Sequence, residues 1–129
     1  MAAQLHDTLI DQAYRASLVT PFSEIVTYLQ GLLSRRLTAV IAGVKDGKTI
    51  ARWAAGETAD VRSPEKEQRL RTAYQIAYML LQSSDSPQTV KAWFMGLNPQ
   101  LGDTSPAEAI REDRLQDALT AARAFVAGG

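Results

Sequence analysis

A chain of 129 residues with 46% hydrophobic content is long enough for one domain with one core, and too apolar to stay unfolded. The absence of cysteine excludes disulfides, thiol chemistry and Cys-based metal sites, and the formal net charge is zero. No apolar run approaches the roughly 18 residues that span a bilayer, and Met1 to Asp7 offers neither the basic start nor the apolar stretch of a signal peptide, so a cytoplasmic location is expected.

Helical periodicity dominates from end to end, and the fold expected is all-α. Residues 1–19 read as an N-terminal arm, a short helix with Leu5, Leu9, Tyr14 and Leu18 as apolar candidates. Thr20-Pro21 opens the next helix, Thr as cap and Pro in the first turn. There Phe22, Ile25, Val26, Leu29, Leu32 and Leu33 stand at offsets 0, 3, 4, 7, 10 and 11. Ser63-Pro64 starts a long helix in which Leu70, Ala73, Tyr74, Ala77, Leu80 and Leu81 repeat those offsets. Ser86-Pro87 opens a shorter one carrying Val90, Trp93, Phe94 and Leu97. Ser105-Pro106-Ala107-Glu108 joins a Pro start to a reciprocal Ser/Glu capping box. From about Asp113 a last helix places Leu115, Ala118, Leu119, Ala122, Phe125 and Val126 on one face, and Gly128-Gly129 ends it. No segment alternates with period two for long enough to form a strand.

Charge is unevenly placed. Arg35 to Arg71 holds nine Lys/Arg against five Asp/Glu, while the rest holds five basic and nine acidic residues. A basic middle between acidic ends is the asymmetry of a chain with one phosphate-facing region, although a solvated helix surface gives the same count.

Residues 20–62 therefore divide into a first helix and a helix-turn-helix-like hairpin. Leu37 to Ala42 forms a short helix ending at Gly43, Val44-Lys45-Asp46-Gly47 turns, and Lys48 to Ala55 forms a second helix stopped by Gly56. Ala39, four before the turn glycine, lets the helices approach; Val44 and Ile50 fill the space between them, and Trp53 anchors the second helix. Lys45, Lys48, Thr49 and Arg52 are left outward, where such a helix meets DNA. The turn is one residue longer than the commonest form. A basic helical hairpin used only for structure or dimerisation remains the alternative.

Residues 63–129 form a second helical region. Within it, Trp93 lies on the apolar stripe as a core residue, Asn98-Pro99 ends a helix, Gly102 permits a turn and Pro106 restarts the chain before Ile110. Trp, then Asn-Pro, Leu-Gly and a helix-opening Pro ahead of an apolar residue are seen at Trp93, Asn98, Pro99, Leu101, Gly102, Pro106 and Ile110. In this order they closely resemble the toxin-binding domain of the Xre/MbcA/ParS antitoxins. Ala51-Arg52-Trp53-Ala54-Ala55-Gly56 is similar to the end of that family's helix-turn-helix, so the resemblance runs from about Pro21 to Gly129. It implies an antitoxin of a bacterial type II toxin-antitoxin system. The partner would be an NAD-consuming RES-domain toxin, its active-site cleft covered by the antitoxin's carboxy-terminal end, with operator binding for transcriptional autoregulation. A homodimer or a hetero-oligomer with toxin is the assembly implied. Arg114, Arg123, Phe125, Val126, Ala127, Gly128 and Gly129 are the toxin-facing candidates.

Nothing in the residues assembles a catalytic centre. The lone histidine, His6, stands near Asp7 and Asp11 without the spacing of a metal site, and any Ser/His chemistry would depend on it. Glu65 with Glu67, and Glu112-Asp113, read as helix-start carboxylates that complement the dipole. The glycines form no phosphate loop or dinucleotide fingerprint. A non-enzyme without cofactor or metal is expected, either the antitoxin or a helix-turn-helix regulator or helical interaction module with no toxin partner.

Overall fold

The computed structural model describes residues 2–58 and 63–128, with side chains from residue 7 onward. It is all-α. The eight helices among the described residues are α1 (Ala2–Val19), α2 (Phe22–Leu33), α3 (Arg35–Ala42), α4 (Gly47–Ala54), α5 (Pro64–Ser84), α6 (Pro87–Met95), α7 (Pro106–Arg111) and α8 (Leu115–Val126). None of them is long and apolar enough to cross a membrane.

Helix starts follow the expected chemistry at three serines. Ser63, Ser86 and Ser105 each accept a backbone N–H from the third residue on, at 3.4, 3.1 and 3.1 Å, with Pro next in line. Thr20 departs from that pattern. Pro21 holds the cap position of α2, while the Thr20 hydroxyl turns back to donate to the Ala16 carbonyl at 2.7 Å. It closes α1 instead of opening α2.

Helix α5 is the axis of the molecule, buried along Leu70 to Leu80, and the other long helices lie against it. One hydrophobic cluster draws residues from α1 through α8, among them Ala13, Leu29, Ile41, Trp53, Ile76, Phe94, Ile110 and Val126. Residues on both sides of positions 59–62, which lie outside the described residues, share this core. Burying such side chains contributes about 1.5–3 kcal/mol each relative to exposure. At its edge Tyr28 meets Tyr74 edge-on at 4.9 Å, and burial, with Tyr74 second, pushes the Tyr28 hydroxyl up to about 12.

The N-terminal segment is longer and better docked than a short arm. Its eighteen-residue helix packs on α5 through Ala13 and Leu9, and Arg71 donates to the Ser17 and Thr20 carbonyls at 2.8 and 2.9 Å. A cation thereby meets the C-terminal end of α1, where the helix dipole favours it. Tyr14 and Leu18, expected as inward residues, are 51% and 59% exposed, because Ala13 and Ser17 occupy the face toward α5. The side chains of Leu5 and His6 lie outside the described residues.

Candidate interaction surfaces

The basic hairpin is built from α3, a four-residue turn and α4. Ser34 alone links α2 to α3, at φ 103, with its hydroxyl capping the Leu37 N–H at 3.1 Å, so α3 starts two residues before Leu37. Gly43 ends α3 at φ 78, and a β-carbon there would come within 2.8 Å of the Arg69 guanidinium. Asp46 then caps α4 by accepting the Lys48 N–H at 3.0 Å, which moves the helix start to Gly47. Gly47 permits the close crossing: a β-carbon there would lie 3.2 Å from that of Arg35. Ala39, Ile50 and Trp53 are buried and Val44 is half-buried, as the spacing implies. Lys45, Lys48 and Arg52 are exposed and Thr49 is half-buried, so the outward surface of the turn and α4 carries three cations.

Two arginines that carry no motif in the sequence fasten this hairpin to the rest. Arg69 of α5 donates to the Ala42 carbonyl at 2.9 Å and to both Asp113 oxygens. Arg111 of α7 donates to the Val40 carbonyl at 3.1 Å. Separations of 27, 44 and 71 residues leave no local signal for such bonds. Asp113 sits at φ 64 between α7 and α8, and Glu112 at the C-cap of α7, so this pair does not start a helix. Asp113 answers Arg69 instead. Glu65 and Glu67 do lie in the first turn of α5.

The Trp93–Ile110 segment folds as helix, 3-10 turn, helix. Asn98 accepts the Gln100 N–H at 2.9 Å and caps the turn Pro99–Leu101; Gly102 follows at φ 66, and the Asn98 N–H donates to the Thr104 carbonyl at 3.2 Å. Leu101, Pro106 and Ile110 are buried. Trp93 is only half-buried. Phe94 takes the core position, and Trp93 packs edge-on against it at 5.2 Å. With Leu97, Asn98, Pro99, Gln100, Ala121 and Phe125, Trp93 lines a surface cleft of about 320 Å³.

The toxin-facing candidates scatter. Phe125 borders that cleft, and Ala127 and Gly128 are exposed beyond α8. Val126 is buried in the core, because α8 turns that face onto α5. Arg114 donates to Asp117 and to the Leu101 carbonyl at 3.2 and 3.3 Å, which makes it a brace of the segment. Arg123 points to a separate cleft of about 370 Å³ with Asp7, Ile10, Asp11, Tyr14 and Gln75, its Nε buried without a partner. Gly129 lies outside the described residues. Among the described residues no group of three His, Cys, Asp or Glu side chains could hold a metal.

Searches against protein-family models, curated proteins and solved structures find no match to this chain.

Proposed function

We propose that this chain is an antitoxin that binds and neutralises an NAD-consuming RES-domain toxin by covering its active-site cleft, and that its α3–α4 hairpin binds operator DNA. The observation that carries this reading is the Trp93–Ile110 segment. Its Trp, Asn-Pro, Leu-Gly and Pro positions resemble the Xre/MbcA/ParS toxin-binding domain. Its apolar cleft beside Trp93, Leu97 and Phe125, close to the exposed Ala127 and Gly128, suits a protein partner better than a small substrate. The exposed Lys45, Lys48 and Arg52 suit phosphate contacts.

The test is NAD consumption by the product of a toxin-like gene adjoining this one, with and without excess of this chain. Suppressed NAD loss supports the antitoxin reading. Unchanged NAD loss leaves the helix-turn-helix regulator as the second reading, which the three outward cations of the hairpin favour.

A further inference from the structure

Two polar side chains that folding draws away from water meet at one cleft without partners. The cleft, about 370 Å³, lies between α1, α5 and α8 and is walled by Asp7, Ile10, Asp11, Tyr14, Gln75 and Arg123. That volume falls in the lower part of the range that holds small molecules. Gln75 comes from the buried stretch of α5 and is 6% exposed, yet its amide makes no hydrogen bond among the described residues. Arg123 is half-buried with its Nε shielded from solvent, and its guanidinium makes neither a hydrogen bond nor an ion pair among them. Buried amides and guanidinium groups are ordinarily bonded, because otherwise their lost hydration goes uncompensated. The opposite wall is α1, where Asp7, Ile10, Asp11 and Tyr14 stand at offsets 0, 3, 4 and 7 and so share a face. Asp11 is engaged by Arg15 of the same helix at 3.0 Å, whereas Asp7, one turn earlier, has no ion pair among the described residues. The cleft is therefore dipolar. A guanidinium and an amide stand on one side and a free carboxylate on the other, and Arg123 pairs with neither aspartate.

We infer that this cleft binds a free α-amino acid with an apolar side chain. The ligand's carboxylate lies against the Arg123 guanidinium and the Gln75 amide, whose planar N–H donors suit a carboxylate. Its ammonium turns to Asp7, and its side chain lies against Ile10 and the ring of Tyr14. A phosphate would bring more negative charge past Asp7 and Asp11, and a simple amine would leave Arg123 without an acceptor. An α-amino acid carries both charges on one carbon and so answers both walls of a single small cleft, whereas the ends of a peptide are held apart by its length. Arg123 and Phe125 are two residues apart on α8, so this cleft and the one beside Trp93 open on different faces. Amino-acid binding here neither requires nor excludes a toxin partner.

The test is a two-dimensional NMR titration of the full chain with L-leucine up to about 10 mM, a range suited to so small a ligand. Isocaproate, which lacks the ammonium, and isoamylamine, which lacks the carboxylate, are the companion probes. L-leucine should give saturable shifts centred on residues 7–14, Gln75 and Arg123, isocaproate should bind more weakly, and isoamylamine should not bind. R123M and Q75L keep the apolar volume of each side chain and should raise the dissociation constant for L-leucine at least about tenfold. D7N lies at an exposed position and should leave the fold intact. It should remove the wild-type preference for L-leucine over isocaproate, which should be about threefold or more. No saturable binding of L-leucine, shifts centred on Trp93 and Leu97, or isoamylamine binding as tightly as L-leucine overturns the proposal. So does a folded R123M or Q75L that binds like wild type, or a D7N that keeps the preference.

Discussion

Arg69 grips Asp113 with two parallel bonds, Nε to Oδ1 at 2.8 Å and Nη2 to Oδ2 at 2.9 Å. Its remaining nitrogen, Nη1, reaches the Ala42 carbonyl at the end of α3. A forked, charge-assisted pair of this kind fixes orientation as well as adding energy. Through it the first helix of the basic hairpin is tied to the link between α7 and α8. Those hydrogen bonds, then the arginine's charge, hold the Asp113 carboxyl below its usual range, and the Arg69 guanidinium is raised in turn, chiefly by the bond to Asp113. Glu65 is lowered as well, by its own backbone N–H and then by the Ser63 hydroxyl.

Asp113 and Glu65 are more acidic folded than unfolded. Their contribution is therefore complete above the unfolded values of about 4 and disappears as pH falls through the lower folded ones. R69A should cost about 1–2 kcal/mol at neutral pH, chiefly through the bond to the Ala42 carbonyl, since solvent screens the half-exposed carboxylate. It should also make stability fall less steeply on acidification. Urea denaturation of both proteins from neutral to acid pH measures this, and parallel curves would count against a role for the Arg69–Asp113 pair.

On the hairpin, K48A/R52A should leave the circular dichroism unchanged, because both side chains are exposed on α4. Binding to the DNA upstream of the gene should weaken. The salt dependence should become shallower by about 0.9 log units per decade of salt for each phosphate no longer neutralised. Equal binding by wild type and variant, in a salt-titrated assay, makes the hairpin a structural element.

Deleting α8 is a poor probe of the cleft, since Ala118, Ala122 and Val126 belong to the core. L97D is better placed: Leu97 is 75% exposed. It should preserve the melting transition yet reduce inhibition of the toxin about tenfold or more, as a charge does at an apolar contact. Full inhibition by L97D would move the toxin-binding surface elsewhere.

Phe94 and Trp93 should respond unequally. F94A removes a fully buried ring and should cost about 3–5 kcal/mol, whereas W93A, at a half-buried position, should cost clearly less. Comparable destabilisation of the two in chemical denaturation would contradict the division of roles between them.

Much of the architecture is legible because local chemistry specifies it. Ser63, Ser86 and Ser105 each precede a proline, and the offsets from Phe22 and Leu70 repeat at helical period, so these signals need no tertiary context. Thr20 misleads because its hydroxyl has two possible backbone targets, and the turn preceding it supplies the nearer acceptor. Trp93 is readable as packed on the core, but not as its half-buried edge: Phe94, one residue on, takes the fully buried position, and periodicity alone cannot rank neighbours. At the candidate surfaces the outward cations of α4 are readable from spacing. The roles of Arg69 and Arg111 are not, because they depend on chain segments that only folding brings together.

The unequal burial of the two tryptophans makes the molecule its own optical reporter. Trp53, 2% exposed on the inner face of α4, should emit at short wavelength and resist collisional quenchers, while Trp93 at the cleft should emit to the red and be quenched. Since the chain has no other tryptophan, W53F and W93F each leave one fluorophore. Occupancy of the hairpin and of the cleft can then be followed separately, without attaching a label to either.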